Sequence, residues 1–259
     1  PLTLTWDGKE YIDGIDMTPE EFFKKLTSVD TIPTTSQVTP VQYEKYYKEL
    51  TENGDELVVI PLSSGLSGTC QSANIAAADY EGKVYVVDSL TATVGQKLLV
   101  EQAVSYVKQG LSAKEIADKL TKDRGHIKLY ARLHTLENLK KGGRISAAVA
   151  FAGGLLSIKP VIEVKDGLID LIAKARGSKN ANATLGKFIS EAGGVDFDRP
   201  YSLVYSGVTD AILSEFVKST PALWGGREGK MPQMSIGAVI GTHIGPDACG
   251  IAFFEKGDY

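Results

Sequence analysis

Cysteine is scarce in this chain. Only Cys70 and Cys249 occur among the 259 residues. Two cysteines are too few for a disulfide framework, and their separation does not match the spacing of metal ligands. The low count is typical of a protein from a reducing compartment, and we find no signal-peptide pattern. We therefore expect a cytoplasmic protein that carries neither a metal nor a cofactor.

The chain also lacks an excess of basic residues and a long hydrophobic run. Its 28 Lys and Arg residues face 32 Asp and Glu residues, which gives a net charge of -4. Without a dense Lys/Arg stripe, attraction to a phosphate backbone would be weak, so we expect no nucleic acid partner. The longest apolar stretch, residues 147–156, is shorter than the ~20 residues of a membrane helix. We predict a buried helix of small residues there, and no integral membrane segment.

The length and the order of elements indicate two α/β domains. A chain of 259 residues exceeds the roughly 100 to 200 residues of one domain. Strand and helix patterns alternate from residue 57 to residue 109, as they do in βαβ units with a mostly parallel sheet. A hairpin signal at Asp166-Gly167 favours a mixed sheet in the second half. We predict domains over residues 1–125 and 126–259.

Hydroxyl groups concentrate in the segment Ser63-Ser64-Gly65-Leu66-Ser67-Gly68-Thr69. This segment follows the apolar run 57–60 and precedes a helix pattern that starts near residue 69. A helix start leaves about four backbone N–H groups unpaired and carries a partial positive charge. The segment, called the anion loop below, is therefore predicted to hold a carboxylate or a phosphate. Leu66, inside the loop, is a candidate for contact with an apolar part of the ligand.

A second polar segment, Gly241-Thr242-His243-Ile244-Gly245-Pro246, is predicted to be a glycine-rich turn between strands near 235–240 and 250–254. A histidine on such a bend can donate a hydrogen bond to an anion. The spacing alone favours this role no more than that of a surface histidine in a tight turn.

Six motifs in this order resemble the DegV family over nearly the whole chain. They are Thr35-Ser36-Gln37, the anion loop with Gln71-Ser72-Ala73, Leu139-Lys140-Lys141-Gly142-Gly143-Arg144-Ile145-Ser146, Lys159-Pro160, Ala175-Arg176-Gly177 and the His243 segment. The resemblance implies a two-domain α/β protein that binds a long-chain fatty acid between its lobes. It also implies that the usual first strand and helix of the family, with a Thr-Asp-Ser type motif, are not part of this sequence.

The function implied by the resemblance is that of a non-catalytic subunit in the bacterial fatty acid kinase system, which serves phospholipid metabolism. A separate kinase subunit supplies ATP and phosphorylates the carboxylate that this subunit presents. The family positions that bind the carboxylate match Thr35, Ser64 and His243. A supporting polar network matches Ser36, Ser63, Arg144 and Thr242, and Arg176 matches a basic position that helps to dock the kinase.

Two other classes of function remain open at this point. A hydrolase or acyltransferase would use Ser64 or Ser67 as nucleophile and His243 as base. Against it, the loop misses the nucleophile-elbow pattern at its last position, and no carboxylate is evidently placed to orient the histidine. A phosphoryl-transfer enzyme acting alone is disfavoured because the chain has no Gly-x-x-x-x-Gly-Lys-Ser/Thr loop.

Overall fold

The computed structural model describes residues 1–145 and 157–257, and these residues form a mixed α/β fold. The strands are β1 (Thr3–Trp6), β2 (Lys9–Ile12), β3 (Thr34–Ser36), β4 (Leu57–Val59), β5 (Val84–Val86), β6 (Ile127–Arg132), β7 (Ile158–Lys165), β8 (Leu168–Arg176), β9 (Tyr201–Ser206), β10 (Gln233–Ser235) and β11 (Ala248–Phe254). The helices are α1 (Pro19–Ser28), α2 (Pro40–Thr51), α3 (Thr69–Ala77), α4 (Thr93–Lys108), α5 (Ala113–Asp123), α6 (Glu137–Lys141), α7 (Gly177–Glu191), α8 (Ala211–Ser219) and α9 (Ala238–Ile244).

Local sequence signals account for the start of three helices. Thr18, Thr39 and Ser112 are the N-caps of α1, α2 and α5, and each forms a capping box with the Glu or Gln three residues later. The cap hydroxyl accepts a backbone N–H that has no partner inside the helix. Proline at the first position supports the starts of α1 and α2.

The strands form one small parallel sheet, one large mixed sheet and one antiparallel sheet. β4 pairs in parallel with β5, and β2, β1 and β3 lie side by side in antiparallel order. The large sheet has the order β10-β9-β11-β6-β7-β8, in which only β10 and β9 are parallel. The predicted combination of a parallel sheet in the first half and a mixed sheet in the second is confirmed.

The large sheet is covered on both faces. On one face, Leu98 of α4 and Leu120 of α5 pack in a single core cluster with Leu129 and Phe254 of the sheet. On the other face, α7 and α8 contribute the core around Leu185 and Phe216. The elements of the first half therefore share a core with the sheet of the second half, and the boundary at residues 125 and 126 stays a prediction.

The segment around His243 differs from the prediction of a turn between two strands. The strand β10 ends at Ser235, and residues Ala238–Ile244 form the helix α9. Two carboxylate oxygens of Asp13 accept hydrogen bonds from the amides of Ala238 and Val239, at 2.8 and 2.9 Å. This cap lies 225 residues away from Ala238 in the sequence, so no local pattern reveals it. His243 therefore lies in the last turn of a helix rather than on a bend.

The predicted helix over residues 147–156 lies outside the described residues. In residues 1–145 and 157–257, no helix is both long enough and apolar enough to cross a membrane.

Candidate ligand-binding site

A mainly apolar cavity lies between the large sheet and the elements that cover it. It encloses about 1020 Å³ of empty space, part of which is open to solvent. The sheet contributes one wall, formed by Leu129, Ala131, Ile162, Val164, Ile169 and Val204. The remaining apolar side chains come from loops and helices, and they are Leu62, Leu66, Ala92, Leu139, Ile236, Ile240 and Ile244. Leu66, the candidate for contact with an apolar part of the ligand, is among the residues that line the cavity.

Polar side chains line the same cavity and mark its open end. They are Thr35, Ser36, Gln37, Ser67, Thr93, Arg144 and His243. Ser36, Gln37 and Arg144 are exposed, whereas Leu129, Ala131 and Ile162 are buried. The cavity therefore joins a polar mouth to an apolar interior, which fits a ligand with one polar end and a long apolar part.

The imidazole of His243 and the hydroxyl of Thr35 form the central contact of the mouth. The Nε2 atom of His243 lies 2.9 Å from the Oγ1 atom of Thr35, although the two residues are 208 positions apart. The Nδ1 atom of His243 is buried and has no hydrogen-bond partner among the described residues. Burial of the ring, together with the nearby positive charge of Arg144, lowers the pKa of His243 to about 4. The imidazole is thus neutral at pH 7 and can offer an N–H group.

Gly142 makes room for the His243 ring. A Cβ atom at Gly142 would overlap the imidazole at Nδ1, so a side chain at this position requires the ring to move. Gly142 ends the short helix α6, and Gly143 follows it with a positive φ of 70°. The double glycine of the motif therefore has two separate causes, close packing at the first position and left-handed backbone at the second.

Arg144 bridges the double-glycine motif and the anion loop. Its Nε atom donates to the carbonyl of Leu66 at 3.2 Å, and its Nη1 atom donates to the carbonyl of Gly142 at 2.5 Å. The side chain is exposed and lines the cavity. These two hydrogen bonds hold a positive charge beside the polar mouth.

Hydrogen bonds within the anion loop occupy some of the hydroxyl and amide groups that were predicted to bind a ligand. The hydroxyls of Ser67 and Thr69 lie 2.9 Å apart, and the Thr69 amide donates to Ser67 Oγ at 3.3 Å. Gly68 is the N-cap of α3 and forms no side-chain cap. A Cβ atom at Gly68 would overlap the side chain of Gln37, which lines the mouth.

Ser64 lies apart from the contact between Thr35 and His243. Its hydroxyl donates to Asp88 Oδ2 at 2.5 Å, its amide donates to Asp88 Oδ1 at 3.1 Å, and the residue does not line the cavity. Asp88 was not among the predicted site residues. Ser64 and Asp88 follow the neighbouring parallel strands β4 and β5, and the carboxyl ends of parallel strands commonly hold functional side chains. That rule could have identified Asp88.

The remaining predicted residues have individual positions. Ser63 is buried, and its hydroxyl donates to the carbonyl of Gly167 at 2.7 Å, which ties the anion loop to the turn between β7 and β8. Thr242 is buried, and its hydroxyl donates to the carbonyl of Ala238 at 2.9 Å within α9. Ser36 lines the mouth, whereas Arg176 is exposed at the end of β8 and does not line the cavity.

The geometry does not support a serine nucleophile with His243 as base. His243 contacts Thr35, Ser64 contacts Asp88, and Ser67 contacts Thr69. In the part of the chain that the structure describes, no hydrogen bond joins either serine to the imidazole. A pKa of about 4 also makes His243 a weak base at neutral pH.

The stability of the folded chain should depend on the protonation of His243. Its pKa falls from 6.5 to about 4, so between these values the unfolded chain binds a proton that the folded chain does not. The free energy of unfolding should therefore decrease as the pH drops from 6.5 towards 4, with no contribution above that window. The slope is at most about 1.4 kcal/mol per pH unit, and partial exposure of the ring reduces it.

Urea denaturation across this pH range measures the effect, with His243→Gln as the variant that lacks the titrating group. We expect the variant to show a flatter pH dependence of stability in the acid range. Identical slopes for the two proteins would contradict the assignment of a neutral, buried imidazole.

The fold and the site together define a class of protein, namely a mixed α/β protein that encloses an apolar cavity beneath a small polar mouth. Comparison with known proteins gives the family. The sequence profile of the DegV family matches residues 1–256, and the chain belongs to this family. The predicted family membership is thereby confirmed.

Individual relatives agree with this assignment. A DegV domain-containing protein of Caldanaerobacter subterraneus subsp. tengcongensis is 34% identical over 259 residues, which cover 99% of this chain and 90% of that protein. A solved structure shows fatty acid binding by a DegV family protein of Thermus thermophilus. It matches this chain with a TM-score of 0.86 at 32% identity. The match covers 99% of this chain and 91% of that chain.

A third relative has a named ligand. A solved structure of a stearic acid-binding protein from Eubacterium ventriosum has a TM-score of 0.82 at 28% identity. The match covers 99% of this chain and 90% of the Eubacterium chain.

Proposed function

We propose that this protein binds a long-chain fatty acid and presents its carboxylate to a separate ATP-dependent kinase subunit, which forms an acyl phosphate. The observation that carries the proposal is the apolar cavity that ends at the hydrogen-bonded pair of Thr35 and His243. The fatty acids of the Thermus and Eubacterium proteins support it, because those relatives share the fold at 32% and 28% identity.

The apolar cavity suits the acyl tail. Each CH₂ group removed from water contributes roughly 0.8 kcal/mol, so about fifteen such groups contribute on the order of 12 kcal/mol. The costs of association and of ordering the chain reduce this sum. The remaining free energy is enough for tight binding without a dense set of polar contacts.

The polar mouth suits the carboxylate. A neutral His243 that donates its Nε2–H to Thr35 Oγ1 leaves the Thr35 hydroxyl free to donate one hydrogen bond to the carboxylate, and Arg144 adds a positive charge nearby. Donors of this kind orient the carboxylate and leave lone pairs on its oxygens. In the proposed reaction one such oxygen attacks the γ-phosphorus of ATP, forming a C–O–P linkage while the bond to the ADP leaving group breaks.

This chain would take no catalytic part in that reaction. The kinase subunit would supply ATP and its metal, and this subunit would hold the acyl group. The exposed Arg176 is proposed as part of the docking surface for the kinase. A cytoplasmic location and a role in phospholipid metabolism belong to the same proposal.

Ser64 is the third residue proposed to contact the carboxylate. Its hydroxyl donates to Asp88, so contact with the ligand requires a change in this hydrogen bond. Replacement of Ser64 by alanine should weaken fatty acid binding if that change occurs on binding. An unaltered affinity would restrict the carboxylate contacts to Thr35 and His243.

Gly142→Ala should weaken fatty acid binding about tenfold, because the added Cβ displaces the His243 ring from Thr35. The matched control is Gly125→Ala, where an added Cβ meets no atom within 4 Å. Affinity can be measured by displacement of a fluorescent fatty acid. Equal affinities of the two variants would contradict the proposed contribution of the ring position.

The kinase step is tested by reconstitution with a fatty acid kinase ATP-binding subunit and radiolabelled ATP. We expect acyl phosphate only when both subunits and fatty acid are present, and a lower rate with Arg176→Glu at unchanged fatty acid affinity. Product formation by either subunit alone would contradict the proposal, and so would full activity when this subunit is omitted.

A further inference from the structure

Arg132 is a buried arginine with an incomplete set of partners. Its side chain is 2% exposed, and its Nε atom has no hydrogen-bond partner among residues 1–145 and 157–257. Its Nη1 atom reaches the Ser178 hydroxyl at 3.4 Å, and its Nη2 atom lies 4.0 Å from the carboxylate of Glu215, which is 54% exposed. The buried Cys249 side chain is a further, uncharged hydrogen-bond partner of the guanidinium. A buried guanidinium that lacks close anionic partners is energetically costly unless another group completes its hydrogen bonds.

The guanidinium of Arg132 points at the N-terminus of α7. Ser178 is the second residue of this 15-residue helix, and the N-cap residue Arg176 provides no side-chain cap. The Gly177 amide donates to the carbonyl of Ser157 at 2.8 Å. The next amides of the first turn, those of Ser178 and Lys179, have no partner inside the helix and carry its partial positive charge.

The other charges around this helix end are mostly positive. The first turn of α7 contains no acidic residue. Lys159 lies near enough to Arg132 for the positive charge of the arginine, in addition to burial, to lower the pKa of the lysine. Its Nζ atom contacts His134 Nδ1 at 3.1 Å, and Asp247 lies 3.8 Å from the same ring nitrogen. Glu215 and Asp247 are both more than half exposed, so they offset the charges of Arg132 and Lys159 only weakly.

We propose that the N-terminus of α7, together with Arg132 and Ser178, forms a binding site for a phosphate-class oxyanion. Nε and Nη1 of Arg132 are planar donors, the Ser178 hydroxyl is a third, and the amides of the first turn complete the set. Lys159 adds charge beside them. None of these residues lines the fatty acid cavity, so anion binding here does not depend on fatty acid binding, although the site adjoins Arg176, the residue proposed for kinase docking.

Two sources share this chemistry, free inorganic phosphate and the phosphate group of a monoester. Isothermal titration of the full chain with inorganic phosphate, and in parallel with phenyl phosphate, distinguishes them when sodium chloride keeps the ionic strength constant. Tighter binding of phenyl phosphate identifies a phosphorylated compound as the ligand, and tighter binding of the inorganic ion identifies free phosphate. Either result supports the site when Arg132→Met weakens that binding at least tenfold.

Two further variants make the test specific. Ser178→Ala should weaken phosphate binding severalfold, and Arg227→Met should leave it unchanged, because Arg227 is exposed and stacks on Phe197. Arg132→Met should remain folded, since methionine removes a buried charge. If it does not fold, Lys159→Gln combined with Ser178→Ala takes its place. The proposal is overturned if millimolar phosphate binds no better than chloride, or if the variants bind it as tightly as the wild type.

Discussion

Val164→Phe should weaken the binding of an 18-carbon fatty acid about 50-fold and leave the binding of a 12-carbon acid nearly unchanged. Val164 lines the apolar wall and pairs with Leu129 of β6. Along β6, Leu129 lies two residues before Ala131 and is therefore farther from α6, which follows the strand. Ala131 shares a core cluster with Leu139 of α6, and this helix is followed by Gly142 and by the mouth residue Arg144. Val164 therefore lies on the part of the apolar wall that is farther along the sheet from α6, where we expect the end of a long tail to lie.

The magnitude follows from the length of tail that a phenyl ring excludes. Filling the space of about three CH₂ groups removes roughly 2.4 kcal/mol of burial, which corresponds to about 50-fold in affinity. Ile172→Phe is the matched control, because Ile172 packs against the core on the other face of the large sheet. A loss that is equal for both chain lengths would show that the ring disturbs the fold or the mouth instead of the space for the end of the tail.

Thr35→Val should weaken the binding of a fatty acid by about 10-fold to 150-fold. The substitution keeps the shape of the side chain and removes the hydroxyl that bonds His243, and a hydrogen bond to a charged group is worth about 1.5 to 3 kcal/mol. Thr34→Val is the control on the same strand, because neighbouring residues of a strand point to opposite faces and Thr34 does not line the cavity.

A second ligand separates loss of a hydrogen bond from loss of packing. The methyl ester of the same fatty acid has no charge to stabilise, so Thr35→Val should change its affinity much less. The double variant with His243→Ala should lose less than the sum of the single variants, because the two side chains contact each other. Equal losses for the acid and the ester would contradict a carboxylate contact at Thr35.

Local patterns predicted most of the elements because their causes lie within a few residues. The capping boxes at Thr18, Thr39 and Ser112 each involve residues three positions apart, and Asp166-Gly167 provides the positive φ values that its tight turn requires. The prediction of a turn between two strands was wrong for the residues of α9, because Asp13, a residue from the other end of the chain, caps this helix. A short apolar run alone does not distinguish a strand from a helix.

The sequence motifs predicted which residues belong to the candidate site, but they did not predict how these residues are arranged in space. The motifs placed Thr35, Arg144 and His243 among the functional residues, and all three line one cavity. The contact of Ser64 with Asp88 depends on the parallel pairing of β4 and β5. The apolar wall is assembled from residues between Leu62 and Ile244, so only the tertiary fold reveals which of them face the ligand.

Extraction of the purified protein with organic solvent, followed by mass spectrometry, shows whether the cavity holds a fatty acid. We expect about one long-chain fatty acid per protein molecule, and less after Thr35→Val than after Thr34→Val. The absence of bound lipid, even after the protein has been incubated with fatty acid, would contradict the proposed binding of a fatty acid.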